Sequence, residues 1–168
     1  EPIRNSICYP RLNVKIAGSH AGITVGEDGG SHQAIVDISL MRSLPNMTVL
    51  VPADAVSTRW MVRAAAEYEG PVYLRLGRFP CPMIYEEGRE FKWGKGEILR
   101  MGKDIVIFAC GIMVAVAQEA ADLLAAEGIS AAVADIHTIK PLDEEFILEM
   151  THHCGAAITV EEHSIIGG

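Results

Sequence analysis

The chain has 168 residues, 49% of them hydrophobic and 21% charged, with a formal charge of −8. That length and apolar content suffice for one large core or two small ones, in a globular protein. The acidic balance, with no cluster of Lys or Arg, argues against a nucleic-acid partner.

Taken in order, short β-rich runs alternate with longer helical patterns. Residues 13–19 read as a strand, and a glycine-rich loop follows. A helix is predicted from near His32 to Met41, with Ser31 as a possible N-cap and Pro45-Asn46 as the stop. Residues 47–53 form the next strand. A helix then runs from about Ala55 to Glu69, capped by Asp54 and closed by Gly70. The strand 71–76 follows, after which the register breaks between Phe79 and Lys95. Beyond the break come a strand at 104–110, a helix over Met113–Glu127 ended by Gly128, and a strand at 130–136. The last helix begins after Pro141, with Asp143, Glu144 and Glu145 in its first turn, where the helix dipole favours acids. It ends near His153, before Gly155, and a strand at 156–161 closes the series. Several strands are continuously apolar, as parallel strands covered on both faces are. The expected architecture is α/β: two parallel-sheet units with flanking helices, residues 1–79 and 96–168, joined by a linker over 80–95.

Cys8, Cys81, Cys110 and Cys154 show no metal or redox spacing. They are expected to be free thiols of a cytoplasmic protein. No apolar run approaches the roughly 18–20 residues needed to span a membrane, so no membrane partner is expected. Glu1 at the start and Gly167-Gly168 after an apolar dipeptide give the ends the look of cuts.

One segment carries chemistry: the run from Gly18 to Gln33, GSHAGITVGEDGGSHQ. It follows a predicted strand, and ligands of open α/β sheets collect outside the carboxyl ends of strands. Its glycines allow close backbone approach and positive φ. His20, Asp28 and His32 can handle hydroxyls and phosphates. Asp28, when ionised, accepts hydrogen bonds from sugar hydroxyls. At a helix N-terminus, His32 would serve as a neutral, hydrogen-bonding imidazole. The residues alone also allow a tight turn whose Asp and Ser cap the next helix.

The segment GEDGGSHQ (Gly26 to Gln33), with His20 six residues before it, resembles the transketolase signature, in which GEDGPTHQ is typical. Gly30 and Ser31 replace Pro and Thr, which keeps a hydroxyl beside His32. The resemblance extends over nearly the whole chain: Ser43-Leu44-Pro45-Asn46-Met47, Val51-Pro52-Ala53-Asp54, Gly70-Pro71, and Arg75-Leu76-Gly77-Arg78. In the second half, Gly94-Lys95-Gly96, Lys140-Pro141-Leu142-Asp143-Glu144 and Thr159-Val160-Glu161-Glu162-His163 are similar to the C-terminal domain shared by transketolases and 1-deoxyxylulose-5-phosphate synthases.

The resemblance implies a thiamine-diphosphate-dependent transferase that moves a two-carbon ketol unit from a ketose phosphate to an aldose phosphate, as in the pentose phosphate pathway. It implies that His20 contacts the sugar phosphate or nearby hydroxyls and that Asp28 reads a hydroxyl next to the reacting carbon. His32 would bond the donor's hydroxymethyl and carbonyl oxygens, and Arg78 would bind phosphate as a planar, fixed charge. Arg75 is read as a surface strand residue rather than a second substrate arginine. The family's cofactor-activating Glu and its GDG…N metal motif have no counterpart here. Thiamine diphosphate and Mg2+ would then be bound mainly elsewhere, by a homodimer partner or a separate diphosphate-binding subunit, and the chain alone would be inactive. A sister reading, 1-deoxyxylulose-5-phosphate synthase, gains from Arg75 with Arg78 and loses at His20, where that family commonly carries Arg. A third reading is a non-catalytic α/β assembly module.

Among other polar features, His152-His153 suits a helix C-terminus and has no ligand partners at metal spacing. His137 ends a strand without a motif. Glu161-Glu162-His163 is expected to pack at a strand end or interface, and Trp60 and Met61 to lie in a core or interface.

Overall fold

A computed structural model describes all 168 residues. The first unit opens with a π-helical turn, Arg4–Cys8, followed by β1 (Lys15–Gly18), α1 (Asp37–Ser43), β2 (Thr48–Leu50), α2 (Ala55–Glu67) and β3 (Val72–Arg75). The second contains β4 (Glu97–Arg100), β5 (Ile105–Ala109), α3 (Met113–Ala126), β6 (Ala131–Asp135), β7 (Thr138–Lys140), α4 (Glu144–Cys154) and β8 (Ala157–Val160). The fold is α/β, as the alternation of elements predicts.

Each sheet has four strands, in the orders β1-β3-β2-β7 and β4-β6-β5-β8. Three strands in each are parallel, and the fourth is an antiparallel edge: β7 against β2, and β4 against β6. The sheets are therefore mixed rather than purely parallel. Both antiparallel strands escape sequence reading because they are only three or four residues long and partly polar. β7 follows β6 almost directly, yet it crosses over to cover the edge of the first sheet. The second unit thus completes the sheet of the first.

Local chemistry explains the helices. Asp54 and Ser57 form a reciprocal capping box at the start of α2. Asp143 caps α4, and Gly155, at φ 73°, closes it in the left-handed conformation that glycine permits without strain. The exception is α1, which begins at Asp37 and not near His32. Ala34 instead pairs with Ala21 in a parallel bridge, and its carbonyl accepts from Gly22 N and Arg75 Nη2. A carbonyl held by tertiary donors is withdrawn from the helix ladder. Ser31 is no N-cap, and its hydroxyl lies 3.0 Å from His32 Nδ1.

Residues 80–95 contain no helix or strand but are well anchored. Asp54 Oδ2 accepts from the backbone N–H groups of Ile84 and Tyr85, both at 2.9 Å. Tyr85 and Phe91 are buried with Ala53 and Val56 of the first unit and Ile107, Val114 and Val133 of the second. Further apolar clusters fill the other faces: Cys8, Ile38, Val49 and Tyr73 in the first unit, and Val106, Phe108 and Met150 against α4. Met61 is fully buried, and the ring of Trp60 lies 5.5 Å from that of Phe91. All four cysteines are free. No helix is long and apolar enough to cross a membrane.

Candidate functional site

The loop between β1 and α1 leaves the carboxyl end of β1, beside that of β3, and has a buried base and an exposed crown. At the base, Ala21 and Val25 are buried. Ala21 N donates to Leu76 O at 3.1 Å, and Gly22 N to Ala34 O at 2.8 Å. Gly22 has φ +82°, and a Cβ there would come within 2.0 Å of Glu162 Cδ, so both backbone and space require glycine. Glu162 Oε1 accepts from Thr24 N. Glu162 comes from the second unit, just past β8, and is buried.

Arg75 completes this base. It is 5% exposed, which excludes the surface reading. Its Nε donates to Asp37 Oδ2 at 2.8 Å, and its Nη2 to the carbonyls of Ala34 and Glu162 at 3.1 and 2.8 Å. Tyr73 OH donates to the same Asp37 oxygen at 2.8 Å. Burial works to raise Asp37, but the bonds and charge of Arg75 and the Tyr73 hydroxyl outweigh it and hold the carboxyl below its usual range. Burial and the Asp37 carboxylate both push the Tyr73 hydroxyl up.

The crown carries the residues singled out by sequence. A 3-10 turn at Gly26–Asp28 presents Asp28, which forms an ion pair with Arg78. Arg78 Nη1 also donates to Val25 O at 2.7 Å. His20 is exposed, at φ 63°, with Nδ1 3.0 Å from Ser19 Oγ. His32 is exposed in a turn whose backbone N–H donates to Gly29 O at 3.0 Å. Because α1 starts five residues later, its dipole does not act on His32. The structure thus joins Asp28 to Arg78 and carries His20 and His32 on the same loop. An exposed ion pair is worth about 0–1 kcal/mol, so a ligand phosphate or hydroxyl can displace it. A cavity of about 480 Å³ opens beside Val25, Glu27, Arg78 and Phe79.

Sequence reasoning misses Arg75 as a buried organiser and Glu162 as part of the loop. A lone charge inside the apolar run Val72-Tyr73-Leu74-Arg75-Leu76 is the available signal, since such a charge needs a buried partner. The segment after β8 does pack at an interface, as expected: His163 Nε2 accepts from Ser39 N at 3.3 Å. No group of three or more His, Cys, Asp or Glu side chains is placed to hold a metal ion.

A two-unit α/β chain with a glycine-rich, polar loop at its strand ends defines the class, and comparison with known proteins gives the family. Residues 1–81 match the transketolase pyrimidine-binding domain, and residues 94–168 match the transketolase C-terminal domain. The chain belongs to the transketolase family. It is 50% identical, over its full length, to a Methanocaldococcus jannaschii protein named for a transketolase C-terminal section, and covers 53% of that protein. It is 46% identical to a 6-deoxy-6-sulfo-D-fructose transketolase subunit of Clostridium sp. (strain MSTE9), with 97% of this chain and 51% of that subunit covered. The chain thus spans about half the length of these relatives. A solved structure titled as a split-gene transketolase, an inactive β4 tetramer, superposes with a TM-score of 0.93 at 56% identity, covering 99% of this chain and 54% of that one.

Proposed function

We propose that the chain forms the sugar-facing part of a thiamine-diphosphate-dependent transketolase that transfers a two-carbon ketol unit from a ketose phosphate to an aldose phosphate. The observation that carries this reading is the crown: His20, Asp28 and His32 on one exposed loop, with Arg78 reaching it from the end of β3. When bound, the cofactor would supply a nucleophilic carbon that adds to the ketose carbonyl and a cationic ring that takes up the electron pair released as the ketose carbon–carbon bond breaks.

The chain's own residues bind and orient the sugar. Arg78 exchanges Asp28 for the phosphate, which frees Asp28 to accept from a hydroxyl beside the reacting carbon. His20 contacts the phosphate or neighbouring hydroxyls. His32 hydrogen-bonds the donor oxygens where charge develops. The cofactor and Mg2+ are held mainly outside this chain, by a homodimer partner or a separate diphosphate-binding subunit. That assignment is supported by relatives named as subunits and by a structural neighbour titled inactive as a β4 tetramer. On this reading the chain is inactive alone and acts in the cytoplasm, in pentose phosphate metabolism.

A second reading is supported by the 1-deoxy-D-xylulose-5-phosphate synthase of Heliobacterium modesticaldum, 41% identical over all of this chain and matched over 26% of its own length. Donor choice separates the two. The full-length protein, assembled with its completing subunit and thiamine diphosphate, should transfer ketol units from a ketose phosphate to an aldose phosphate. Formation of deoxyxylulose phosphate from pyruvate and glyceraldehyde 3-phosphate, without ketol transfer, would establish the second reading instead.

A further inference from the structure

We infer that Glu162, supplied by the second unit, is a positioning residue for the loop that faces the sugar. The inference rests on the proposed function of that loop. Both flanks of the crown converge on this residue. On the entering side, Glu162 Oε1 accepts from Thr24 N, and the carboxyl fills the space that a Cβ at Gly22 would occupy. On the leaving side, the Glu162 carbonyl accepts from Arg75 Nη2 at 2.8 Å, and the same nitrogen holds Ala34 O at 3.1 Å. Ser164 N donates to Ile35 O at 2.9 Å and extends the seam.

Between these fixed points the crown is held by bonds within the loop, among them Gly29 N to Gly26 O, His32 N to Gly29 O and Gln33 Nε2 to Ile23 O, and by Arg78, which reaches Val25 O and Asp28. Its orientation therefore follows from its base. An apolar side chain would fill the seam without the desolvation cost of a buried carboxyl. What the carboxyl adds is a directed acceptor for a backbone N–H that would otherwise lie unpaired beside the site. This gives the second unit, which carries none of the substrate contacts proposed above, a part in substrate binding.

The test uses the full-length protein in its assembled, cofactor-loaded form. Glu162→Ala should lower kcat/KM for the phosphorylated donor about tenfold, chiefly through KM, because displaced contacts misplace the sugar. Hydrogen exchange should show lost protection at the Thr24 amide. Glu162→Gln, which keeps an oxygen acceptor at the same reach, should recover kcat/KM to within about threefold and restore protection. Should the Ala variant fail to assemble, Glu162→Asp keeps the charge but withdraws the acceptor by one methylene and should show the same losses. Unchanged Thr24 protection in the Ala or Asp variant overturns the inference. So does a Gln variant as impaired as these, or lost protection with an unchanged KM. If the wild type transfers no ketol unit, the functional reading fails, and the exchange measurement alone decides whether Glu162 fixes the loop.

Discussion

At the base of the loop between β1 and α1, backbone and side-chain polar groups are paired under cover: Arg75 with Asp37, Glu162 with Thr24, and Ala34 O with two donors. At the crown, a few residues away, His20, Asp28 and His32 stand exposed, with partners from neighbouring residues or from Arg78. On the function proposed above, the base serves stability and the crown exchanges partners. Low-dielectric surroundings make the base interactions strong and costly to break, whereas solvent makes those of the crown cheap to replace by ligand. A substitution in one region should therefore register in a different measurement from a substitution in the other.

The largest stability effect is expected at the base. Arg75→Met leaves the largely covered Asp37 without its cation and should cost about 3–5 kcal/mol, read as a fall in the denaturant midpoint of the full-length protein. An unchanged midpoint would show that the base is not organised by this pair. Asp54→Ala comes next. It removes the α2 cap and strands the N–H groups of Ile84 and Tyr85, for roughly 2–3 kcal/mol by the same measurement. At the crown, Arg78→Ala should leave the midpoint within about 1 kcal/mol while raising KM for phosphorylated sugars about tenfold. Asp28→Asn should shift donor preference by a smaller factor. If it altered neither rate nor preference, the reading of this chain as a non-catalytic module would gain.

The seam between the two sheets permits a further, smaller contrast. Burial pushes Asp135 up to about 8 and His137 down to about 4. Asp135 Oδ2 accepts from Tyr85 OH at 2.8 Å, whereas Asp135 Oδ1 and His137 Nε2 have no protein partner. A raised folded pKa means stability is lost as pH rises, here from the ordinary value of 3.8 toward about 8. A depressed folded pKa at His137 means stability is lost as pH falls, from 6.5 toward about 4. The two trends oppose each other between about pH 4 and 6.5, and Asp135 acts alone above that. Stability should decline by roughly 1–2 kcal/mol between pH 6.5 and 8, and Asp135→Asn should flatten that decline. A decline that persists in the variant would locate its cause elsewhere.

Much of this arrangement is legible in the sequence wherever a residue acts locally. The cap Asp54, the acidic first turn after Pro141 and the terminators Gly128 and Gly155 mark α2, α3 and α4 to within a few residues, because chemistry of this kind belongs to the segment itself. The apolar runs give the six strands of the two parallel cores. What escapes is decided by distant partners. α1 starts late because Gly22 and Arg75 capture Ala34 O. β7 is recruited by the bare edge of β2 rather than by its own pattern. Arg75 reads as a surface strand residue until Asp37 arrives beside it. The crown residues are legible through their resemblance to the transketolase signature, but the contribution of Glu162 is not, since it lies far along the chain from Thr24.

The most direct test of the account is the turnover of His32→Ala in the full-length, assembled and cofactor-loaded enzyme, with ketose phosphate donor and aldose phosphate acceptor. His32 is exposed and bonds to Ser31 and Gly29 rather than to the buried network, so the variant should fold and assemble as the wild type does. The account predicts a loss in kcat of about a hundredfold or more, the scale of a hydrogen-bonding group that acts on developing charge. Turnover within a few-fold of wild type would contradict it and remove His32 from the site.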